Sequence, residues 1–265
     1  MSAGALACDD KTVQLLITCE HGGNGIPARY RPLFEHHRKV LESHRGYDPG
    51  ALALARDFAG AYGAELVYST TSRLLVELNR SPNHRQILSE VTRGLAPAER
   101  ERLLQQYYWP YRNRVEAQVR SAITRGERVL HVSSHSFTPR LSGVERRADI
   151  GLLYDPRRTA ERAFCSAWKS AIEAANPRLR VRRNYPYRGS DDGLTTHLRR
   201  LHSGTQYSGI EIEVNQKHPS GNGRAWRALR KLLISTLGQA LAHASCGTKT
   251  RERGTTRRSI AAPIR

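Results

Sequence analysis

The sequence predicts the α/β fold class, because short apolar runs typical of buried strands alternate with amphipathic helical patterns along the chain. Two of the apolar runs, at residues 15–19 and 128–137, have a histidine within two residues of their carboxyl end. The chain has 265 residues and 38% hydrophobic content, which is enough for one sizeable core. We therefore expect a single domain at residues 12–246, preceded by an unstructured segment at residues 1–11 and followed by a disordered basic tail at residues 247–265.

The first strand is expected at residues 15–19, where a glycine-rich turn ends the apolar run. Asp48 followed by Pro49 is typical of a helix N-cap with proline at the first helical position, and Gly63 is expected to end that helix. A helical stretch at residues 97–125 is expected to break at its Trp-Pro pair. The remaining periodic segments are strands at residues 65–68, 128–137, 150–154 and 178–184 and helices at residues 159–175 and 224–243.

The last strand, in the segment GIEIEVNQ, alternates apolar and polar residues. Its apolar positions belong to one face, so Glu211 and Glu213 are predicted to lie together on the other face. Before this strand, residues 184–197 are rich in glycine and polar residues, a composition that suits a ligand-binding loop or lid.

Composition excludes several classes of protein. No apolar run approaches the roughly 20 residues of a membrane span, and the N-terminus lacks a basic region followed by an apolar core, so we expect a soluble cytoplasmic protein. The four cysteines have no CxxC spacing, which favours free thiols over disulfides or a thiolate zinc site. The formal charge of +19 is not accompanied by a nucleic-acid-binding motif, so small anionic substrates are favoured over nucleic acid as partners.

Two strand-end histidines, His21 and His135, suggest a metal site, because ligands of open α/β sheets bind at the carboxyl ends of the strands. A hydrolytic zinc site needs about three nitrogen or oxygen ligands and a carboxylate that takes a proton from water. His21, Asp48 and His135 are candidates for the ligands, and Glu213 for the base. Two simpler alternatives remain open at this point: a helix cap for Asp48 and structural hydrogen bonding for the histidines.

The chain resembles the N-formylglutamate amidohydrolases in six motifs that occur in family order between residues 15 and 217: CEHGGNGIP, HRGYDPGA, SRLLVELNR, SSHSF, NYPYRGSDDGLT and GIEIEVNQ. That family is similar in fold to the zinc carboxypeptidases and aspartoacylases. The resemblance thus implies a three-layer α/β/α fold with a mixed, mostly parallel central sheet. It also implies one Zn²⁺ ion held by His21 and His135. The third ligand is Asp48 or, as a competing choice, Glu20.

The same resemblance implies that Glu213 is the general base and that Glu211 orients a histidine ligand. Asn79 and Arg80 match a pair that holds a substrate carboxylate, a task that suits the planar fork of arginine. The further residues implied at the site are Arg73, which would polarise the scissile carbonyl or bind a second carboxylate, and the substrate contacts Arg140, Arg188 and His197.

The activity implied is metal-assisted hydrolysis of the N-formyl or N-acyl amide of an acidic amino acid such as N-formylglutamate. Two alternatives remain: a protein of the same fold that binds N-acyl amino acids or other anions without catalysis, and a nucleic-acid-associated protein that uses the basic tail.

Overall fold

A computed structural model describes the backbone of residues 6–8 and 11–252 and the side chains of residues 12–243. Its strands are β1 Leu6–Cys8, β2 Lys11–Cys19, β3 Glu65–Tyr68, β4 Arg128–Phe137, β5 Arg140–Leu141, β6 Val144–Glu145, β7 Ile150–Leu153, β8 Val181–Arg183 and β9 Tyr207–Asn215. Seven of them form the central sheet in the order β1-β2-β4-β9-β7-β8, with β3 also paired to β2. Strands β5 and β6 form a separate two-stranded hairpin.

The sheet is mixed and mostly parallel. Strands β2, β3, β4 and β9 run parallel to one another, whereas β7 is antiparallel to β9 and β1 is antiparallel to β2. The carboxyl ends of β2, β4 and β9 therefore meet at one edge of the sheet. This edge carries the residues that follow Cys19 and those around His135 and Glu213.

The helices are α1 Arg38–Leu41, α2 Ala51–Tyr62, α3 Pro97–Leu103, α4 Trp109–Thr124, α5 Thr159–Ala175, α6 Leu194–Leu201 and α7 Gly223–Glu252. A 3₁₀ segment, Ala28–His37, precedes α1. A single π-helical turn, Leu104–Tyr108, joins α3 to α4.

Two hydrophobic cores lie on opposite faces of the sheet, as side-chain alternation requires. Leu15 and Ile17 of β2 pack with the α2, α5 and α7 side chains, including Phe58, Trp168 and Leu233. Their neighbour Leu16 belongs to the second core, whose other members come largely from the 3₁₀ segment, α4, α6 and the segment between β3 and α3. Helices thus cover both faces, and the expected three-layer α/β/α architecture is confirmed.

Several local predictions require correction. The first long helix begins at Ala51 with Gly50 at its N-cap, so Asp48 is not the cap. Gly50 has a φ of 82°, a left-handed conformation that suits glycine, and Gly63 ends the helix as expected. The helical stretch does not break at residues 109–110, because α3, the π turn and α4 follow one another without a gap and Pro110 lies in the first turn of α4.

The boundaries at the two ends also differ from the prediction. Strand β1 lies in the segment expected to be unstructured, and α7 extends past residue 247 to Glu252. The rest of the predicted unstructured segment, at residues 1–5 and 9–10, and residues 253–265 of the predicted tail lie outside the described residues. Among the helices that are described, none combines the length and the apolar character that crossing a membrane requires.

Close backbone packing explains the glycines after β2. The N–H of Gly22 donates to the carbonyl of Ser69 at 3.0 Å, and that of Gly25 donates to the carbonyl of Thr70 at 2.9 Å. A Cβ on Gly23 would lie 2.7 Å from the carbonyl oxygen of Thr70, so a side chain there would force the two segments apart. These contacts fix the turn that begins at His21.

Candidate active site

A cavity of about 170 Å³ lies at the carboxyl-terminal edge of the sheet, where β2, β4 and β9 end. Its lining includes residues identified from the sequence, among them His21, Asp48, Arg73, Asn79, Arg80, His135, Glu211 and Glu213. Arg188 also lines it. The arrangement follows from topology, because parallel strands bring residues distant in sequence to the same edge.

His21, Asp48 and His135 form a buried trio in this cavity. One donor atom from each side chain lies within 4.8 Å of the others, and the group could hold a metal ion. The Nδ1 atoms of both histidines face the same oxygen, Oδ2 of Asp48, at 3.3 Å for His21 and 3.0 Å for His135. Imidazole nitrogens and a carboxylate oxygen are ligands that Zn²⁺ accepts in hydrolytic sites.

The backbone places Asp48 in the trio. Its N–H donates to the carbonyl of His21 at 2.9 Å, which ties the segment before α2 to the turn after β2. The N–H of Ser136 approaches Asp48 Oδ2 at 3.4 Å from the strand β4 side. The side chain is therefore directed toward the histidines and makes no capping bond to α2.

Two further carboxylates hold the opposite nitrogens of the histidine rings. Nε2 of His21 lies 2.5 Å from Oε1 of Glu77, and Nε2 of His135 lies 3.0 Å from Oε2 of Glu20. A carboxylate on the far nitrogen fixes both the tautomer and the orientation of a ligand histidine. Both rings are thus oriented with Nδ1 directed toward Asp48.

Glu20 is not a member of the trio and instead supports it. Its side chain accepts hydrogen bonds from Ser133 at 2.6 Å and from Tyr111 at 2.8 Å, besides its contact with His135. Adjacent residues project in different directions at the end of an extended strand, which places Glu20 behind the histidines. Of the two alternatives for the third donor, Asp48 is the one that the geometry joins to His21 and His135.

Glu77 was missed by the sequence analysis. The signal was a single acidic residue inside the apolar segment LLVEL, which the structure buries without regular secondary structure. Glu77 also receives a hydrogen bond from Arg73 Nε at 2.7 Å and one from the N–H of Asn79 at 2.9 Å. It therefore connects His21 to two other residues of the cavity.

Electrostatics stabilise the charged forms of these buried groups. Burial alone would raise the pKa of Glu20, but hydrogen bonds from His135 and Ser133 outweigh it and hold that pKa well below its usual range. Burial likewise opposes the charge on Asp48, and both histidines together with Arg73 lower its pKa. For His135, burial is outweighed by hydrogen bonds to Asp48 and Glu20, which raise the pKa of the imidazole.

Glu213 differs from the other carboxylates of the cavity. It is buried, and its Oε2 atom has no hydrogen-bond partner among the described residues. Burial is the main cause that raises the pKa of Glu213 to about 8, with Asp48 and Glu211 adding to the effect and His135 opposing it. A carboxylate with an unpartnered oxygen and a raised pKa can exchange a proton near neutral pH.

Glu211 lies on the same face of β9 and lines the cavity, as the alternation of the strand predicts. Its Oε1 atom accepts a hydrogen bond from Thr195 at 2.6 Å. The orientation of the histidines, which the sequence analysis assigned to Glu211, is instead carried out by Glu20 and Glu77.

Arg73 lies in the cavity wall, with its guanidinium between two site carboxylates. It contacts Glu77 through Nε and Nη2 and approaches Asp48 Oδ1 at 3.4 Å through Nη1. Its side chain retains 27% exposure. In the structure its charge is thus directed at Asp48, a member of the trio, and at Glu77, which supports it.

Asn79 and Arg80 lie side by side in the cavity wall. Asn79 Oδ1 accepts a hydrogen bond from the N–H of Leu194 at 2.7 Å, and its Nδ2 lies 3.5 Å from His135 Nε2. Arg80 donates from Nη1 to two backbone carbonyls, those of Asn79 at 3.1 Å and Asp192 at 2.5 Å.

Two of the predicted substrate contacts do not lie among the residues that line the cavity, and we leave them out of the site. His197 of α6 is bound through Nε2 to Glu116 of α4 at 2.8 Å. Arg140 is exposed in the β5–β6 hairpin. The lining contains other residues that were not selected from the sequence: His44, Ser136, Phe137, Thr138, Tyr187, Asp191, Asp192 and Gln216.

A mixed α/β sheet that gathers histidines and carboxylates at the ends of its parallel strands defines an α/β enzyme with a hydrolytic type of site. The chain belongs to the N-formylglutamate amidohydrolase family, whose sequence profile matches residues 13–218, and it is a hydrolase that acts on amide bonds.

Two solved structures are similar to this chain. The crystal structure of a gene product from Agrobacterium tumefaciens shares 33% identity over 87% of this chain and 91% of the other, with a TM-score of 0.74. The N-formylglutamate amidohydrolase from Ralstonia eutropha shares 18% identity over 94% of this chain and 97% of the other, with a TM-score of 0.65, and at that identity supports the fold alone. No curated protein matches the chain at a significant level.

Proposed function

We propose that the protein is a metal-dependent amidohydrolase that removes the N-formyl or N-acyl group from an acidic amino acid, with N-formylglutamate as the leading substrate. One observation carries the proposal: two imidazole nitrogens converge on a single oxygen of Asp48, beside the unpartnered carboxylate oxygen of Glu213. Membership of the amidohydrolase family agrees with this chemistry.

The residues of the cavity fit a Zn²⁺ ion. His21 and His135 present Nδ1 and Asp48 presents Oδ2, while Glu77 and Glu20 hold the far nitrogens of the rings. Three protein ligands with a carboxylate base nearby are typical of hydrolytic zinc sites. When bound, the ion would activate water and stabilise negative charge on the carbonyl oxygen of the substrate.

Glu213 is the proposed general base. Its buried carboxylate takes a proton from the attacking water and later transfers it to the nitrogen of the leaving amine, which becomes the free amino acid. Its pKa of about 8 in the metal-free protein suits proton exchange, and a nearby cation would favour its ionised form.

Arg80 and Asn79 are proposed to bind the α-carboxylate of the substrate, and Arg188, which also lines the cavity, is proposed to bind a second carboxylate. A guanidinium meets a carboxylate with two parallel hydrogen bonds, and so it fixes orientation as well as charge. Arg73 keeps Glu77 and Asp48 in place, and its exposed part can reach the carbonyl oxygen of the substrate.

The cellular setting belongs to the same proposal. Cys19 and Cys165 are buried and free, as expected for thiols in a reducing compartment such as the cytoplasm. Burial raises the pKa of both thiols, which makes them poor nucleophiles.

The direct test is elemental analysis of the purified protein, followed by measurement of amine release from a panel of N-formyl and N-acetyl amino acids with and without chelator. We expect about one bound divalent ion per chain and turnover that chelation abolishes and Zn²⁺ restores. Tight binding of the panel compounds without amine release would instead indicate an anion-binding protein. Turnover that persists after complete removal of metal would contradict the proposal.

A further inference from the structure

The segment from Glu77 to Arg80 has an unusual concentration of tasks for a stretch without regular secondary structure. Glu77 orients His21, Asn79 contacts both His135 and the start of α6, and Arg80 lines the cavity. Reactive and binding groups must be held within a fraction of an ångström to be effective, so such a segment needs anchors.

Side chains anchor three successive carbonyls of this segment. The hydroxyl of Tyr108 donates to the carbonyl of Arg80 at 2.7 Å. Arg112 donates from Nη1 to the carbonyl of Leu78 at 3.3 Å, and the guanidinium of Arg80 itself donates to the carbonyl of Asn79. The backbone is thus fixed on both sides of Asn79.

Tyr108 and Arg112 act from one place in the fold. Tyr108 is the last residue of the π turn, and Arg112 lies four residues further on, on the same face of α4. The guanidinium carbon of Arg112 lies over the Tyr108 ring, 5.5 Å from its centroid. π turns are frequent at functional sites, since they alter which side chains a helix presents.

Burial of the charged Arg112 side chain opposes folding, which is not expected of a residue that serves packing alone. It is 1% exposed, and its contacts among the described residues are to the Leu78 carbonyl and the Tyr108 ring rather than to a carboxylate. An unpaired buried charge opposes folding, and an apolar side chain of similar volume would be expected where only packing is required. Its compensation comes from the Leu78 carbonyl and the face of the Tyr108 ring.

We propose that Tyr108 and Arg112, which we call the carbonyl clamp, are positioning residues that hold Arg80 where it can bind the carboxylate of the substrate. The inference rests on the proposed function for the role of Arg80. The clamp acts through the backbone of residues 78–80, so its loss is expected to weaken carboxylate binding more than it slows the chemical step.

The test measures KM and kcat for N-formylglutamate, and the dissociation constant of glutarate by calorimetry, in Tyr108→Phe, Arg112→Met and Arg112→Lys. Loss of the Tyr108 hydroxyl is expected to raise KM and the glutarate dissociation constant about threefold to tenfold, with kcat within about twofold and metal content unchanged. Arg112→Met is expected to raise KM and the glutarate dissociation constant more than tenfold. Arg112→Lys keeps a hydrogen-bond donor, so its increase in both values is expected to be smaller.

Matched controls are Tyr107→Phe and Arg114→Met, which change the same residue types next to the clamp. Tyr107 packs its ring against Tyr30, and Arg114 is exposed and pairs with Glu65, so neither is expected to alter binding. Unchanged glutarate affinity in the clamp variants would overturn the inference. A loss of kcat, metal content and stability together with the loss of affinity would also overturn it, since that pattern indicates a purely structural role.

The experiment separates the clamp from the proposed function. If the unaltered protein binds glutarate but releases no amine from N-formylglutamate, the proposed substrate is wrong while the clamp can still be judged from glutarate affinity. If the unaltered protein binds no glutarate, the clamp inference fails as well, because it requires a carboxylate at Arg80.

Discussion

His135 and Glu213 are direct partners across the parallel pairing of β4 and β9. Residues paired in this way project from the same face of the sheet, so a metal-ligand candidate and a base candidate enter the cavity side by side. On the other side of β9, Glu213 is paired with Gly151 of β7, where a Cβ would lie 1.9 Å from the carbonyl oxygen of Tyr185. The glycine thus lets the segment around Tyr185 approach the base.

Replacement of Glu213 by glutamine is expected to remove proton transfer and leave metal binding intact. The amide has nearly the same shape but cannot accept the proton of water, so kcat should fall by about 10²- to 10⁴-fold. The measurement is kcat together with zinc content for Glu213→Gln, with the exposed Glu145→Gln as the control. Turnover close to that of the unaltered protein would exclude Glu213 as the base.

Replacement of Glu20 by glutamine is expected to weaken metal binding without removing a ligand. The variant loses the carboxylate that orients His135, and such losses reduce metal affinity by about 10- to 100-fold. Competition with a chelator of known affinity measures the effect. Glu77→Gln should act in the same direction through His21, with an added effect through Arg73. An unchanged affinity in Glu20→Gln would show that the contact with His135 does not support a metal site.

Replacement of Arg80 by lysine is expected to raise KM about tenfold, because a point charge replaces a planar fork that can bind both carboxylate oxygens. The kcat value should change less, since Arg80 does not contact the trio. Arg73→Lys provides a contrast: its loss of contacts to Glu77 and Asp48 should lower metal affinity as well. If Arg80→Lys reduced kcat alone, the assignment of Arg80 to substrate binding would be wrong.

The α/β class and the convergence of the two histidines could be predicted from local pattern and general topology, whereas the three-layer architecture with a mixed sheet was implied by the family resemblance. Apolar runs of strand length predicted the strands, and parallel strands share an edge, which places His21 and His135 together. The alternation in GIEIEVNQ likewise placed Glu211 and Glu213 on one face without any knowledge of the partners of the strand.

The roles of Asp48, Glu20 and Glu77 depend on contacts between segments that no local pattern contains. Asp48 before a proline has the pattern of a cap, and only the turn at Gly50 and the bond to the His21 carbonyl direct it elsewhere. Glu20 contacts His135 and Glu77 contacts His21 because the fold brings segments distant in sequence together. His197 had a suitable residue type and position in sequence, yet it is bound to Glu116 and is not among the residues that line the cavity.

A buried histidine outside the cavity gives a prediction on stability. His131 is fully buried between Thr18 and Tyr207, at 2.8 Å from the Thr18 hydroxyl and 2.7 Å from the Tyr207 hydroxyl. Burial is the main cause that lowers the pKa of His131 to about 4 from an ordinary value of 6.5, with Arg199 and His135 adding to it and Glu20 opposing it. Between these two pH values the unfolded chain binds a proton at this residue that the folded chain does not bind.

The free energy of unfolding should therefore fall as the pH falls from about 6.5 toward 4, by up to about 3 kcal/mol from His131 alone. Urea unfolding at a series of pH values in this window measures the effect. In His131→Gln the curve of stability against pH should be flatter than in the unaltered protein, whatever its absolute level, because glutamine does not titrate. The exposed His36→Gln is the matched control and should keep the original slope. Parallel curves for His131→Gln and the unaltered protein would show that this imidazole is not held neutral by the fold.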